Sequence, residues 1–264
     1  MHILKRLQPA SIYGRITLVI TPPRKVVSML RISTLCLLLL SLFVLPATAS
    51  PATSLKDVVS ALEKGYAGLQ DVQADFSQKT TIAAVNREQK GSGEVFLKRP
   101  ASATAMFRFN YAKPKQQIVS NGKQVWFYTP ENKQVMVNTV AAMFSGGNSI
   151  ALSYLTGLGH VSRDFDIAFA TDQQDKNGNY QLELTPKKPS PVLAKLQLTV
   201  SSTAVAQIQT SGEVKDVFPI VSSVVHDAGG NKTRIDYSHA RVNKGLDNGT
   251  FNFKTPKGVE VIKP

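Results

Sequence analysis

Two neighbouring stretches rich in large rings constrain this chain more than anything else in it. Val95, Leu97 and Arg99 share one parity, and beyond Pro100 the residues Phe107, Phe109 and Tyr111 share one face of a second extended run. The segment from Ser120 to Pro130, with Trp126, Phe127 and Tyr128, continues the theme. Strands with this much apolar surface on one face must cover it, and the pattern predicts a greasy receptacle.

Arg99 poses a charge problem within that series. An unpaired guanidinium inside an apolar face costs several kcal/mol, so an inward Arg99 requires carbonyls or carboxylates around it. The alternative is that Lys98-Arg99 flanks a turn with both side chains solvated, and alternation alone leaves both readings open.

A targeting segment precedes the domain. Arg31 stands before the apolar run 35–45, and Ala47-Thr48-Ala49 supplies a small-residue cleavage pattern, so residues 1–49 are expected to be a signal peptide and 50–264 the mature domain. The run is shorter than the roughly 20 residues a membrane-spanning helix needs. Residues before Met29 make an unusually long basic leader containing Pro22-Pro23, and a start at Met29 gives a leader of ordinary form. The single cysteine, Cys36, lies inside the apolar run, whereas a lipid-modified cysteine would follow it. The mature chain therefore has no disulfide and must rely on one ordinary core.

Removing residues 1–49 removes six of the 31 Lys and Arg and none of the 18 Asp and Glu, so the formal charge falls from +13 to +7. The remaining cations, among them Lys64, Lys79, Lys113, Lys187 and Lys244, are dispersed, which argues against nucleic acid and reads as a solvated surface. Docking on anionic membranes or acidic partners is the lesser alternative.

Ser54 and Asp57 open a helix whose apolar positions Leu55, Val58, Val59, Leu62, Tyr66, Leu69 and Val72 follow three-four spacing. From about Ala74 the pattern becomes short alternating runs between turn signals at Gly91-Ser92-Gly93, Asn121-Gly122, Asn177-Gly178, Gly229-Gly230 and Asp247-Asn248-Gly249, which predicts an antiparallel sheet. Later strands are expected over 166–170, 180–185, 196–200, 205–210, 220–226, 233–239 and 251–254. One segment breaks the rhythm. Met143, Phe144, Ile150, Leu152, Tyr154 and Leu155 are too many apolar groups for a solvated loop and suggest either a lid or ordinary core closure.

Catalytic patterns are missing. His160, His226 and His239 have no metal-ligand spacing, there is no nucleophile elbow or phosphate loop, and no acid/base pair stands out. The reading is therefore of a protein that is not an enzyme, with no cofactor and no metal.

The leader, the opening helix, Phe76-Ser77-Gln78, Lys98-Arg99-Pro100, the run from Phe107 to Tyr111, Asn121-Gly122, the run from Trp126 to Pro130, Leu184-Thr185-Pro186-Lys187 and Thr255-Pro256-Lys257-Gly258 resemble, in order and spacing, the outer-membrane lipoprotein carrier (LolA) family. The resemblance spans nearly the whole mature chain. It implies an α+β, mainly β fold: a curved antiparallel sheet forming an unclosed barrel, with a helical lid over a hydrophobic cavity. It also implies a monomeric periplasmic carrier in a Gram-negative bacterium. Such a carrier takes the acyl chains of lipoproteins from an inner-membrane ABC exporter and delivers them to an outer-membrane acceptor lipoprotein. By motif, Arg99 matches the arginine that ties the lid through lid carbonyls. Val95, Leu97, Phe107, Phe109 and Tyr111 would line the cavity, and Met143, Phe144, Ile150, Leu152 and Leu155 would form the lid's inner face. The six residues between Pro100 and Phe107 exceed the family's usual spacer, so a bulge or longer turn is expected there.

Three other readings compete. The same half-barrel serves glycolipid carriers, acceptor lipoproteins and lipoprotein sensors. A cavity enzyme would need a nucleophile or paired acids on the inner face. A structural β-protein would show a filled core and no need of a lid.

Overall fold

The computed structural model describes residues 52–99, 105–145, 161–188 and 193–263, the side chains of 143–145 excepted. The chain divides into two units, residues 1–52 and 53–264, and the fold below is that of the second.

Helix α1 (Leu55–Ala67) begins where Ser54 Oγ accepts from the Asp57 backbone N–H at 3.2 Å while the Asp57 carboxylate accepts from the Ser54 N–H. This reciprocal cap satisfies two otherwise orphaned donors. Val58, Ala61, Leu62, Gly65 and Tyr66 make its buried stripe. The helix stops at Ala67, short of the extent the three-four spacing suggested. Leu69 lies in the connection and Val72 in the next strand, where both are buried for reasons unrelated to helical period.

Among the described residues, twelve strands then form one sheet. In chain order β1 (Asp71–Ile82), β2 (Arg87–Lys98), β3 (Met106–Lys113), β4 (Gln116–Ser120), β5 (Gln124–Thr129) and β6 (Gln134–Thr139) make a meander. The short helices α2 (Val140–Ser145) and α3 (Val161–Asp164) follow. A second meander contains β7 (Phe165–Gln174), β8 (Tyr180–Pro186), β9 (Lys195–Val200), β10 (Ile220–His226) and β11 (Lys232–Val242), with α4 (Ser202–Ser211) between β9 and β10. Strand β11 pairs with β1, joining the meanders, and β12 (Glu260–Ile262) adds parallel to β6. Among the described residues all other pairings are antiparallel, and the ends of the sheet, β7 and β12, do not pair with each other. The sheet is therefore unclosed.

Register sets one apolar face. Val72 and Ala74 oppose Leu97 and Val95, which oppose Phe107 and Phe109. On the other side Leu198 opposes Leu182, and Leu196 opposes Leu184. These residues share one buried cluster with Val58, Leu62 and Tyr66 of α1, so the helix covers the inner face. A second apolar set lies behind. Met106, Val119, Val135 and Phe251 are buried outside that cluster, where the C-terminal segment crosses the back of the first meander. Phe253 packs on Trp126 and Tyr128, and Arg108 donates to the Thr250 carbonyl.

Three further expectations are corrected. Residues 205–210 are helical: Ser201 Oγ accepts from the Ala204 N–H, and Gly212, at φ 74°, ends the helix in a left-handed conformation. Those end signals outweigh a run that also reads as alternating. Residues 251–254 are not a strand, since a 3-10 turn covers Asn248–Phe251. Gly91-Ser92-Gly93 is no turn but lies inside β2, opposite a bulge in β3 where Ser92 pairs with Lys113 and Gly93 with Tyr111. The expected irregularity between Pro100 and Phe107 falls largely on residues 100–104, outside the described residues.

A Cβ on Gly93 would sit 1.9 Å from the Asn110 backbone oxygen. Backbone cannot retreat as a side-chain tip can, so Gly93→Ala is expected to destabilise the protein by about 3 kcal/mol, read from urea unfolding midpoints.

Candidate functional site

The inner face of β1, β2 and β3 carries a chain of rings. Phe109 is 6.3 Å from Phe107 and 6.4 Å from Tyr111, while Phe76 from β1 meets Phe109 edge-on at 5.6 Å and Tyr111 at 4.8 Å. Val95, Leu97, Phe107 and Phe109 are buried, and half-buried Tyr111 donates its hydroxyl to Gln78 Oε1 at 2.8 Å. Burial pushes the Tyr111 phenol up to about 12. Gly91 and Gly93 make room for this set, since a Cβ on Gly91 would meet the Tyr111 ring at 3.1 Å. Phe76 is the ring that touches both strand neighbours, and the sequence signal for it was the same alternation, running back through Ala74 to Val72.

Arg99 lies one residue beyond the end of β2, so the alternation that turns Val95 and Leu97 inward stops before it. Its side chain is exposed, not buried, and Nη1 donates to the Tyr66 carbonyl at 2.7 Å. Its backbone N–H donates to the Gln70 carbonyl at 2.8 Å. An exposed guanidinium carries no such demand, and its carbonyl contact is, among the described residues, to the last turn of α1, where the helix dipole also favours a cation. Free space at this point is about 10 Å³, bounded by Tyr66, Leu69, Val72, Leu97, Arg99 and Ala105. That is room for one water at most.

Helix α2 contains Met143 and Phe144 in its backbone, but their side chains, together with Ile150, Leu152 and Leu155, lie outside the described residues.

Two groups at this end have no local sequence signature. Asp71, 5% exposed, accepts from the backbone N–H groups of Lys244, Gly245 and Leu246. Asn243 reaches from the same turn to the Gln70 N–H and the Gly68 carbonyl. Together they bind the exit of β11 to the junction of α1 and β1. The third notable group is Tyr66, whose ring packs on Phe218 at 5.9 Å and whose buried hydroxyl has no partner among the described residues.

Residues 67–254 match the model of the family described as outer membrane lipoprotein carrier protein LolA, and the chain belongs to that family. A protein of Azotobacter vinelandii named outer-membrane lipoprotein carrier protein is 29% identical over 215 residues, covering 81% of this chain and 92% of that protein. One of the same name from Xanthomonas campestris pv. campestris is 32% identical over 196 residues, covering 74% and 83%. Among solved structures, a LolA superfamily protein from Nitrosomonas europaea aligns over 75% of this chain and 97% of its own, at 15% identity and a TM-score of 0.39.

Burial holds the Tyr66 phenol well above its ordinary value. Above about pH 10 the unfolded chain then releases a proton that the native one keeps, so stability falls as pH rises. Tyr66→Phe is expected to flatten that alkaline loss by up to about 1.4 kcal/mol per pH unit. It should also raise stability at pH 7 by about 1 kcal/mol, because it removes an unpaired buried hydroxyl. Chemical denaturation from pH 7 to 11 measures both effects.

Proposed function

We propose that the mature protein is a periplasmic carrier that takes the acyl chains of lipoproteins onto the inner face of its unclosed sheet and hands them to an outer-membrane acceptor. The observation that carries this reading is the continuous apolar face of β1, β2 and β3, with its four linked rings, beneath a helix tied at its C-terminal end by Arg99. Membership of the family supports the reading.

Exposing one sixteen-carbon chain to water costs on the order of 12 kcal/mol, so unaided transfer between membranes is slow. A carrier must substitute its own apolar surface yet bind loosely enough for the acceptor to take the chains. In this proposal the empty protein hides its inner face with its own side chains. Cargo replaces those contacts once the lid residues Met143, Phe144, Ile150, Leu152 and Leu155 move aside. The Arg99 contact biases the protein towards the closed form, which gives release a driving force. An inner-membrane ABC exporter supplies the cargo and hydrolyses the ATP, and no bond is made or broken on the carrier. Residues 1–49 act as the leader that directs export.

Mature protein isolated from a periplasm exporting a tagged lipoprotein should carry it one-to-one in native mass spectrometry, and Phe107→Glu should abolish loading. A protein that comes out empty, or holding only free lipid, would mean a different ligand or a structural role. Arg99→Leu should accept cargo and release it to acceptor at least about tenfold more slowly, as expected if the closed state loses about 1.4 kcal/mol of bias. Normal hand-off by that variant removes Arg99 from the mechanism.

A further inference from the structure

The back of the sheet holds a feature that the carrier reading does not use. Near the far end of β1 and β2, away from Arg99, lies an open depression of about 540 Å³ on the outer face. Its floor is low because Ser77 and Ser92 oppose each other there, beside Gly91. Lys79, Lys90, Lys113 and Arg234 surround it, with Gln78 and one carboxylate, Asp236. Lys113 reaches this face only because of the bulge in β3: pairing with Ser92 places it beside the outward serines, whereas unbroken alternation from Phe107, Phe109 and Tyr111 would turn it inward.

The charges are not equally available. Arg234 is held by Asp236 and Lys79 by Glu88. The side chains of Lys90 and Lys113 have no hydrogen bond or ion pair among the described residues, so two unpaired lysines and two serines line one hollow. That donor set suits a phosphate ester. A second observation indicates where the phosphate resides. The hairpin joining β1 to β2 ends in the 3-10 turn Ala83–Val85, and Val85 is 66% exposed. Lys79 and Lys90 are paired three residues behind the Ile82 and Arg87 pair that closes this hairpin, about 10 Å along the strands. The headgroup layer of a bilayer is about 5–7 Å deep on each side. With Val85 at the hydrocarbon boundary, lysine stems reach the lipid phosphates.

We propose that this end of the protein is a membrane-docking surface, in which the depression receives the phosphate of an anionic phospholipid while Val85 inserts. The inference does not depend on acyl-chain carriage, because Ser77, Lys79, Lys90, Ser92, Lys113 and Val85 take no part in the inner face, although the depression also reaches Gln78 and Gly91 at its edge. The test is flotation of the mature protein with phosphatidylcholine vesicles, with and without phosphatidylglycerol, at low and high salt. Partitioning should require phosphatidylglycerol and fall with salt. It should drop about thirtyfold in Lys90→Ala/Lys113→Ala, at about fivefold for each lysine near an anionic surface, and about tenfold in Val85→Asp. Lys56→Ala/Lys257→Ala, with the same loss of charge at other sites, should stay within about twofold of the parent. Equal losses in the two lysine pairs, no dependence on phosphatidylglycerol, or binding of soluble glycerol phosphate without vesicle binding would each overturn the proposal. Lipoprotein loading measured on the same variants should be unchanged, which separates failure of this surface from failure of the carrier reading.

Discussion

Strand β1 hydrogen-bonds to β2 along one side and to β11 along the other, and this double pairing is the constraint on which the rest of the fold depends. It brings residues just after the first helix against the last long strand, across most of the domain. Such a seam forms only at a large cost in loop entropy, and local propensity contributes little to it. Asp71 meets that cost at the seam's end. Its carboxylate, itself buried, collects three backbone N–H groups from the turn after β11, so losing it would release that turn from the start of β1. Only with the seam in place do the inward residues of both meanders share one face.

Helix α1 is held to that face by two kinds of contact meeting at Tyr66. Its carbonyl accepts from Arg99, its ring rests on Phe218, and its buried hydroxyl has no partner among the described residues. The apolar packing is close, since a Cβ on Gly65 would lie 2.9 Å from the Pro219 side chain, and the guanidinium contact adds a directional bond at the exposed end. Glu63, which accepts from Ser162, and Lys64, which donates to the Gly212 carbonyl, fix the helix at further points.

Much of this was legible in the sequence because alternation and caps are local. Val95, Leu97, Phe107 and Phe109 announce their shared side by parity, and Ser54 with Asp57 announces the start of α1. What failed was the reading of signals whose meaning depends on a neighbour. Gly91 and Gly93 look like turn residues, yet they are small because Tyr111 and the Asn110 backbone crowd them from β3. The run 205–210 fits a strand or a helix equally well until Ser201 and Gly212 are recognised as caps. Arg99 shares the parity of Leu97 but lies past the strand's last residue, so its direction was set by the nearby end of α1. Asp71 and the strap at 248–262 carry no local signature, since their partners are more than a hundred residues away.

The strap has a further effect. Each strand it crosses serves two interiors at once, with alternate residues assigned to opposite sides. In β3, Phe107 and Phe109 belong to the front, while Met106 and Arg108 belong to the back, where Arg108 is spoken for by the Thr250 carbonyl. A slip of one residue would exchange the two loads, placing a guanidinium among the rings and the rings against the strap. Neither side could accept the trade, so the C-terminal segment, packed on the back, acts as a proofreader of strand alignment for the front.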